Sequence, residues 1–156
     1  MKEIKIIDAV VNIWTEEALS VRPDWGTKFF VEKMKANKDL MHGLALTDMI
    51  TRMNSAGIDH SFLIAAKAGR TGLPGCYHMP PNIVATAVKQ HPNKFSGIIG
   101  IDPFTGMNGV RELEHAVVEL GFIGAHIYPH WFELSPDHAK YYPFYAKCCE
   151  LGVPVQ

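Results

Sequence analysis

Apolar positions along the chain follow two alternating rhythms. Ile4, Ile6, Ile7, Val10, Val11 and Ile13 form a nearly continuous β-branched run, which predicts a buried strand over 4–13. The stretch from 14 to 42 is less regular. There Pro23-Asp24-Trp25-Gly26 is a turn signal, and Thr27 is placed to cap a short helix carrying Phe30, Val31 and Met34. Beyond it the rhythm sharpens. Leu46, Met49, Ile50 and Met53 fall at i, i+3, i+4 and i+7, one apolar helix stripe that meets Gly57, and a strand over 58–66 follows. A second helix is expected from Pro81 to His91-Pro92, then a strand over 95–101 ending in Asp102-Pro103. Val110, Leu113, Val117 and Leu120 mark a third helix stopped by Gly121, and a strand over 122–128 comes next. Tyr141, Phe144, Tyr145 and Cys148 mark a fourth helix, with Pro143 in its first turn and Gly152 at its end. Val153-Pro154-Val155-Gln156 opens a fifth strand.

A helix that ends in glycine and passes straight into an apolar strand thus occurs at Gly57, Gly121 and Gly152. Glycine takes a left-handed backbone conformation at little cost, which reverses the chain into the next strand. Repeated β–α units with apolar strands predict an α/β fold with a helix-covered parallel sheet, either an open doubly wound sheet or a closed barrel. No G-x-G-x-x-G or G-x-x-x-x-G-K-[ST] loop follows the first strand, which removes the usual nucleotide-binding readings. The sequence stops just inside its fifth strand. Four β–α units and a strand start are about half of a ~250-residue eight-unit barrel, so the chain reads as one partial domain over 1–156.

Composition narrows the function classes. Net charge is −1 over 156 residues, which gives no electrostatic case for nucleic acid or an anionic membrane. Nothing approaches ~18 consecutive apolar residues, and charges interrupt the N-terminal run, so neither a membrane span nor a signal peptide is expected. Cys76, Cys148 and Cys149 make no disulfide framework and read as reduced thiols in a cytoplasmic protein.

Barrels and open α/β sheets both place ligands at the carboxyl ends of their strands. Asn12 and Trp14 follow the first strand, and Asp102 follows the third. The second ends in a Gly-rich loop with two cations, Lys67 and Arg70, suited to holding a substrate carboxylate. The fourth carries His126, Tyr128 and His130 at alternating positions, which a straight strand sends to one face. His126 is the candidate for proton transfer, Tyr128 and His130 for orienting substrate, and Asp102 for ordering a neighbouring histidine.

The stretches Gly121-Phe122-Ile123-Gly124-Ala125-His126-Ile127-Tyr128-Pro129, Ser135-Pro136-Asp137, Tyr142-Pro143-Phe144-Tyr145 and Glu150-Leu151-Gly152-Val153-Pro154-Val155 resemble the amidohydrolase-related (amidohydrolase 2) family. Phe95-Ser96-Gly97-Ile98-Ile99-Gly100-Ile101-Asp102-Pro103 and Ile6-Ile7-Asp8 resemble its third and first strands. That family includes aminocarboxymuconate semialdehyde decarboxylase and γ-resorcylate decarboxylase. The resemblance implies the N-terminal half of a TIM-like (β/α)8 barrel, acting when complete as a hydrolase or non-oxidative decarboxylase on a small carboxylated or aromatic substrate. It further implies a homo-oligomer, with the 156 residues inactive by themselves. Members usually read Asp-x-His-x-His on the first strand, whose two histidines bind a divalent metal such as zinc. Here Val10 and Asn12 stand at the histidine positions, so no metal is expected from the residues present. Two alternatives follow: a catalytically silent barrel that binds a ligand or partner, and a metal-independent lyase built on the His126 cluster.

Overall fold

The computed structural model describes residues 5–156. In chain order its elements are β1 (Ile7–Val11), α1 (Glu16–Ser20), α2 (Asp24–Lys28), α3 (Leu46–Ser55), β2 (His60–Ala65), the short pair β3 (Lys67–Ala68) and β4 (Tyr77–His78), α4 (Pro81–Gln90), β5 (Phe95–Gly100), α5 (Met107–Val118), β6 (Gly124–His126) and α6 (Tyr142–Leu151). Strands β1, β2, β5 and β6 lie side by side in that order, all parallel, and β3 and β4 form a separate antiparallel pair. Val155 adds a parallel bridge beside Ala125, so a fifth strand begins where the pattern of apolar residues places it. The result is a parallel half-barrel with helices between its strands.

Alternation along the strands separates two faces. Leu63, Ala65, Ile99, Ile101 and Ala125 pack with Met53, Val84, Leu113 and Phe144 into the main core beneath the helices. Ile64, Ala66 and Ile98 form a smaller cluster on the other face, joined by Phe62, Tyr77 and Tyr128. Because the second face carries so few large side chains, it leaves room for a cavity. The three helix-ending glycines, Gly57, Gly121 and Gly152, all have left-handed φ, between 67° and 73°. Among the described residues, no helix is long and apolar enough to cross a membrane.

Several boundaries differ from the sequence expectation. Of the expected first strand, Ile4 lies outside the described residues, and pairing runs over Ile7–Val11 with a bulge. Ile7 pairs with His60, Asp8 with Ser61 and Val11 with Leu63, so Ala9 and Val10 share the place opposite Phe62. Around Thr27 the helix starts earlier, at Asp24, and Thr27 lies inside it. Pro23, at φ −68° and ψ 152°, directs the chain into the first turn, and Asp24 suits the positive end of the helix. It continues through the wider turn Phe29–Lys33. The strand expected over 122–128 is paired only over Gly124–His126, because Tyr128 turns the chain into the short helix Pro129–Phe132. Two features gave no clear signal: α1, capped by the Thr15 hydroxyl, and the β3–β4 pair.

Candidate active site

A cavity of about 160 Å³ lies at the carboxyl ends of β1, β2 and β6, on the face opposite the main core. Asn12, just past β1, and Tyr128, just past β6, face it, with Ala66 and Ala68 as its floor. Small floor residues keep the space open. Helix α2 and the residues before it close the other side with Arg22, Trp25 and Phe29, and Tyr77 and Trp131 complete the wall. The Trp25 and Trp131 rings lie 6.0 Å apart at a 32° tilt. The walls are therefore aromatic, with few polar groups aimed between them.

Arg22 is the charged group in this lining. Its guanidinium sits 4.3 Å from the Trp14 ring centroid, 5.1 Å from Phe30 and 5.3 Å from Tyr77, with one hydrogen bond to the Ile13 carbonyl at 3.3 Å. No carboxylate among the described residues pairs with it, and its Nε is buried without a partner. Burial pushes its pKa below the ordinary 12.5, opposed by the neighbouring Tyr77. An arginine cannot lose its charge at neutral pH, so the cation persists. The Tyr77 hydroxyl, close to the guanidinium, completes no hydrogen bond of good geometry, nor does the buried Trp25 Nε1. Burial raises the Tyr77 pKa despite the cation beside it. Arg22, Trp25 and Tyr77 thus bring three buried donor groups with unmet bonding capacity to the lining of one aromatic cavity, a composition suited to a planar anion.

His126 and Tyr128 share a face, as the alternation requires, while Ala125 and Ile127 pack into the helix-side core. The His126 ring is 7% exposed, lies edge-on to Tyr128 at 4.2 Å, and has Gln156 as its hydrogen-bond partner. Burial lowers its pKa below 6.5, partly offset by that hydrogen bond, and burial raises that of Tyr128. His126 stands behind Tyr128 rather than on the cavity wall.

Other residues expected at the site lie elsewhere. His130 is exposed on the short helix Pro129–Phe132, because Pro129 ends the strand before the alternation reaches it. Trp14 does not line the cavity; its Nε1 donates to the Leu40 carbonyl at 2.7 Å, and its face supports Arg22. Arg70 is exposed and stacks on Phe104 at 3.8 Å. Asp102 is buried but orders no histidine: its carboxylate accepts from the Thr71 hydroxyl at 2.9 Å, the Thr71 amide at 3.3 Å and the Phe104 amide at 2.9 Å, tying two loops together.

Lys67 also changes role. Alternation from Ala66 turns it to the helix side, where it is buried and ion-paired with Glu112 of α5. Losing Glu112 leaves the buried Lys67 ammonium unpaired, whereas losing Lys67 leaves a carboxylate that already reaches solvent. Glu112→Ala should therefore destabilise the protein by about 2 kcal/mol, below the fully buried range because Glu112 is 37% exposed. Lys67→Met should lie within about 1 kcal/mol of wild type. Denaturant unfolding of both variants checks the asymmetry, and the reverse order would show that Lys67 has another partner.

Arg22, Trp25, Tyr77 and Trp131 line the cavity, and the sequence pattern alone does not mark them. The available signal was a cation directly before a helix start, Arg22-Pro23-Asp24, in a segment with Trp14, Trp25 and Phe30 nearby. The first-strand positions do not fit a divalent metal. Val10 offers no donor, Asn12 only an amide, and among the described residues no three His, Cys, Asp or Glu side chains come together to hold an ion.

Comparisons with known proteins agree with this architecture. The 2-keto-4-carboxy-3-hexenedioate hydratase of Sphingobium sp. is 36% identical over 81 residues, covering 47% of this chain and 24% of that protein. The 5-carboxyvanillate decarboxylase of Novosphingobium aromaticivorans, solved with manganese and 3-methoxy-4-hydroxy-5-nitrobenzoic acid, superposes with a TM-score of 0.68 at 19% identity, over 97% of this chain and 49% of that one. The 2,6-dihydroxybenzoate decarboxylase from Rhizobium gives 0.63 at 19% identity, over 97% of this chain and 48% of that one. The chain thus spans about half the length of these solved structures, and its segment matched to the hydratase covers about a quarter of that protein. The family model described as Amidohydrolase matches residues 32–156, and the chain belongs to that family.

Proposed function

We propose that this chain is the first half of an amidohydrolase-family barrel that, when complete, binds a small carboxylated aromatic or conjugated substrate and acts on it as a non-oxidative decarboxylase or hydrolase. The observation that carries this reading is Arg22, a half-buried cation without a carboxylate partner among the described residues, set in an aromatic cavity at the strand ends. About 160 Å³ is close to the roughly 150 Å³ that accommodates a benzene ring. Arg22 would hold the carboxylate, with Trp25 Nε1 and the Tyr77 hydroxyl as further donors. Trp25 and Trp131 would cover the ring, and Asn12 and Tyr128 would orient it. His126, neutral and behind Tyr128, is the proposed proton-transfer group.

A second reading, a silent barrel that binds without chemistry, is favoured by Val10 and Asn12 at the metal-histidine positions. One experiment separates the two. Tryptophan fluorescence of the full-length protein is titrated with benzoate, 2,6-dihydroxybenzoate and neutral benzamide, and carbon dioxide release is followed in parallel. Carboxylates are expected to quench at least ten-fold more tightly than benzamide, since a charge-assisted hydrogen bond contributes about 1.5–3 kcal/mol. Binding without turnover across a broad set of carboxylates would favour the silent barrel. Equal affinity for benzoate and benzamide would remove both readings.

A further inference from the structure

We propose that Gln156 is a positioning residue that sets the tautomer of His126, keeping the ring proton on Nδ1 and leaving Nε2 as the free, proton-accepting nitrogen. The argument begins with the backbone. Gln156 donates its amide to the Ala125 carbonyl at 2.9 Å and accepts from the Ile127 amide at 3.0 Å, which fixes it beside His126 in the parallel ladder. Val155 packs toward the helix side, so the next side chain falls on the face of His126 and Tyr128.

The carboxamide then has one workable orientation. Its Nε2 lies 2.9 Å from the Ala9 carbonyl, an acceptor, so the amide nitrogen must be the end that points there. Ala9 belongs to the β1 bulge, where the ladder to β2 is interrupted. The opposite end, Oε1, is therefore the atom 3.3 Å from His126 Nδ1. An amide oxygen can only accept, so Nδ1 must carry the proton. The other tautomer would set two acceptors against each other and bury an N–H donor without a partner. His126 Nε2 is buried and, among the described residues, makes no hydrogen bond, an arrangement a lone pair tolerates better than an N–H donor does. The ring's other neighbour is the Tyr128 ring, which opens onto the cavity. The consequence for proton transfer rests on the proposed function, whereas the tautomer itself does not.

The test is 15N NMR of histidine-labelled protein at a pH where the ring is neutral, with His126 assigned by its loss in His126→Gln. Wild type should show Nδ1 protonated and Nε2 unprotonated. Gln156→Glu keeps an acceptor at the same place and should retain that pattern. Gln156→Leu removes it and should shift the population toward the Nε2–H form. A proton on Nε2 in wild type would overturn the proposal, as would an unchanged tautomer in Gln156→Leu. Failure of carboxylates to bind would remove the functional reading and leave this one standing. Carboxylate binding alongside an Nε2–H ring would do the opposite.

Discussion

Arg22→Met should weaken carboxylate binding by roughly 10- to 100-fold while leaving thermal stability unchanged or raised. Arg22 is half-buried, and a partly desolvated cation without a counter-charge among the described residues is a cost to the folded state. Arg22 recovers part of that cost through its place over Trp14 at 4.3 Å and its bond to the Ile13 carbonyl at 3.3 Å. Methionine has a comparable length and fills the same aromatic space without charge. The cost is therefore relieved and most of the packing is kept. For a bound carboxylate the balance is opposite, because the planar fork of donors and the charge both disappear. Fluorescence titration with benzoate, paired with a thermal melt, reads both effects. A variant that unfolds more easily and still binds benzoate like wild type would make Arg22 a structural residue and dissolve the proposed site.

The alternation of strands and helices was legible because burial imposes a period on each element. Leu46, Met49, Ile50 and Met53 all pack at the core or against it. Gly57, Gly121 and Gly152 adopt the left-handed turns their positions implied. His126 and Tyr128 were legible for the same reason, since strand alternation is local. The alternation misled at His130, because one proline was enough to convert strand to helical turn. At Lys67 the same period, carried one step past Ala66, turns the side chain to the helix side and Glu112. The cation that does face the cavity was hidden for a different reason. Arg22 gains its meaning from Trp14, Phe30 and Tyr77, whose rings surround its guanidinium, and from the cavity that Phe30 and Tyr77 line with Tyr128. Only the packing of α2 across the strand ends brings them together. Asp102 shows the same limit: a residue at a strand end is placed for chemistry, but its partners decide its work, and these are Thr71 and Phe104.

The geometry of that strand-end floor rests on Gly100, and Gly100→Ala should destabilise the protein by about 3 kcal/mol, lowering the melting temperature by roughly 10 °C. A Cβ at this position would lie 2.6 Å from the Ala65 carbonyl oxygen and 2.6 Å from the Lys67 amide nitrogen. Both are backbone atoms, one at the end of β2 and one at the start of β3, so no side chain can rotate away, and this segment must move off β5. Ala66 and Ala68, which form the cavity floor, lie in the displaced segment. Carboxylate affinity should therefore fall together with stability, although Gly100 does not line the cavity. Gly57→Ala provides the control. Its φ is +73° with nothing within 4 Å of the added carbon, so only the backbone conformation is penalised, at about 1 kcal/mol. Denaturant unfolding and benzoate titration of the two variants compare a clash with a strain. Equal stabilities would mean that β2 and β5 can part at no cost, and that the floor of the site is not held by this contact.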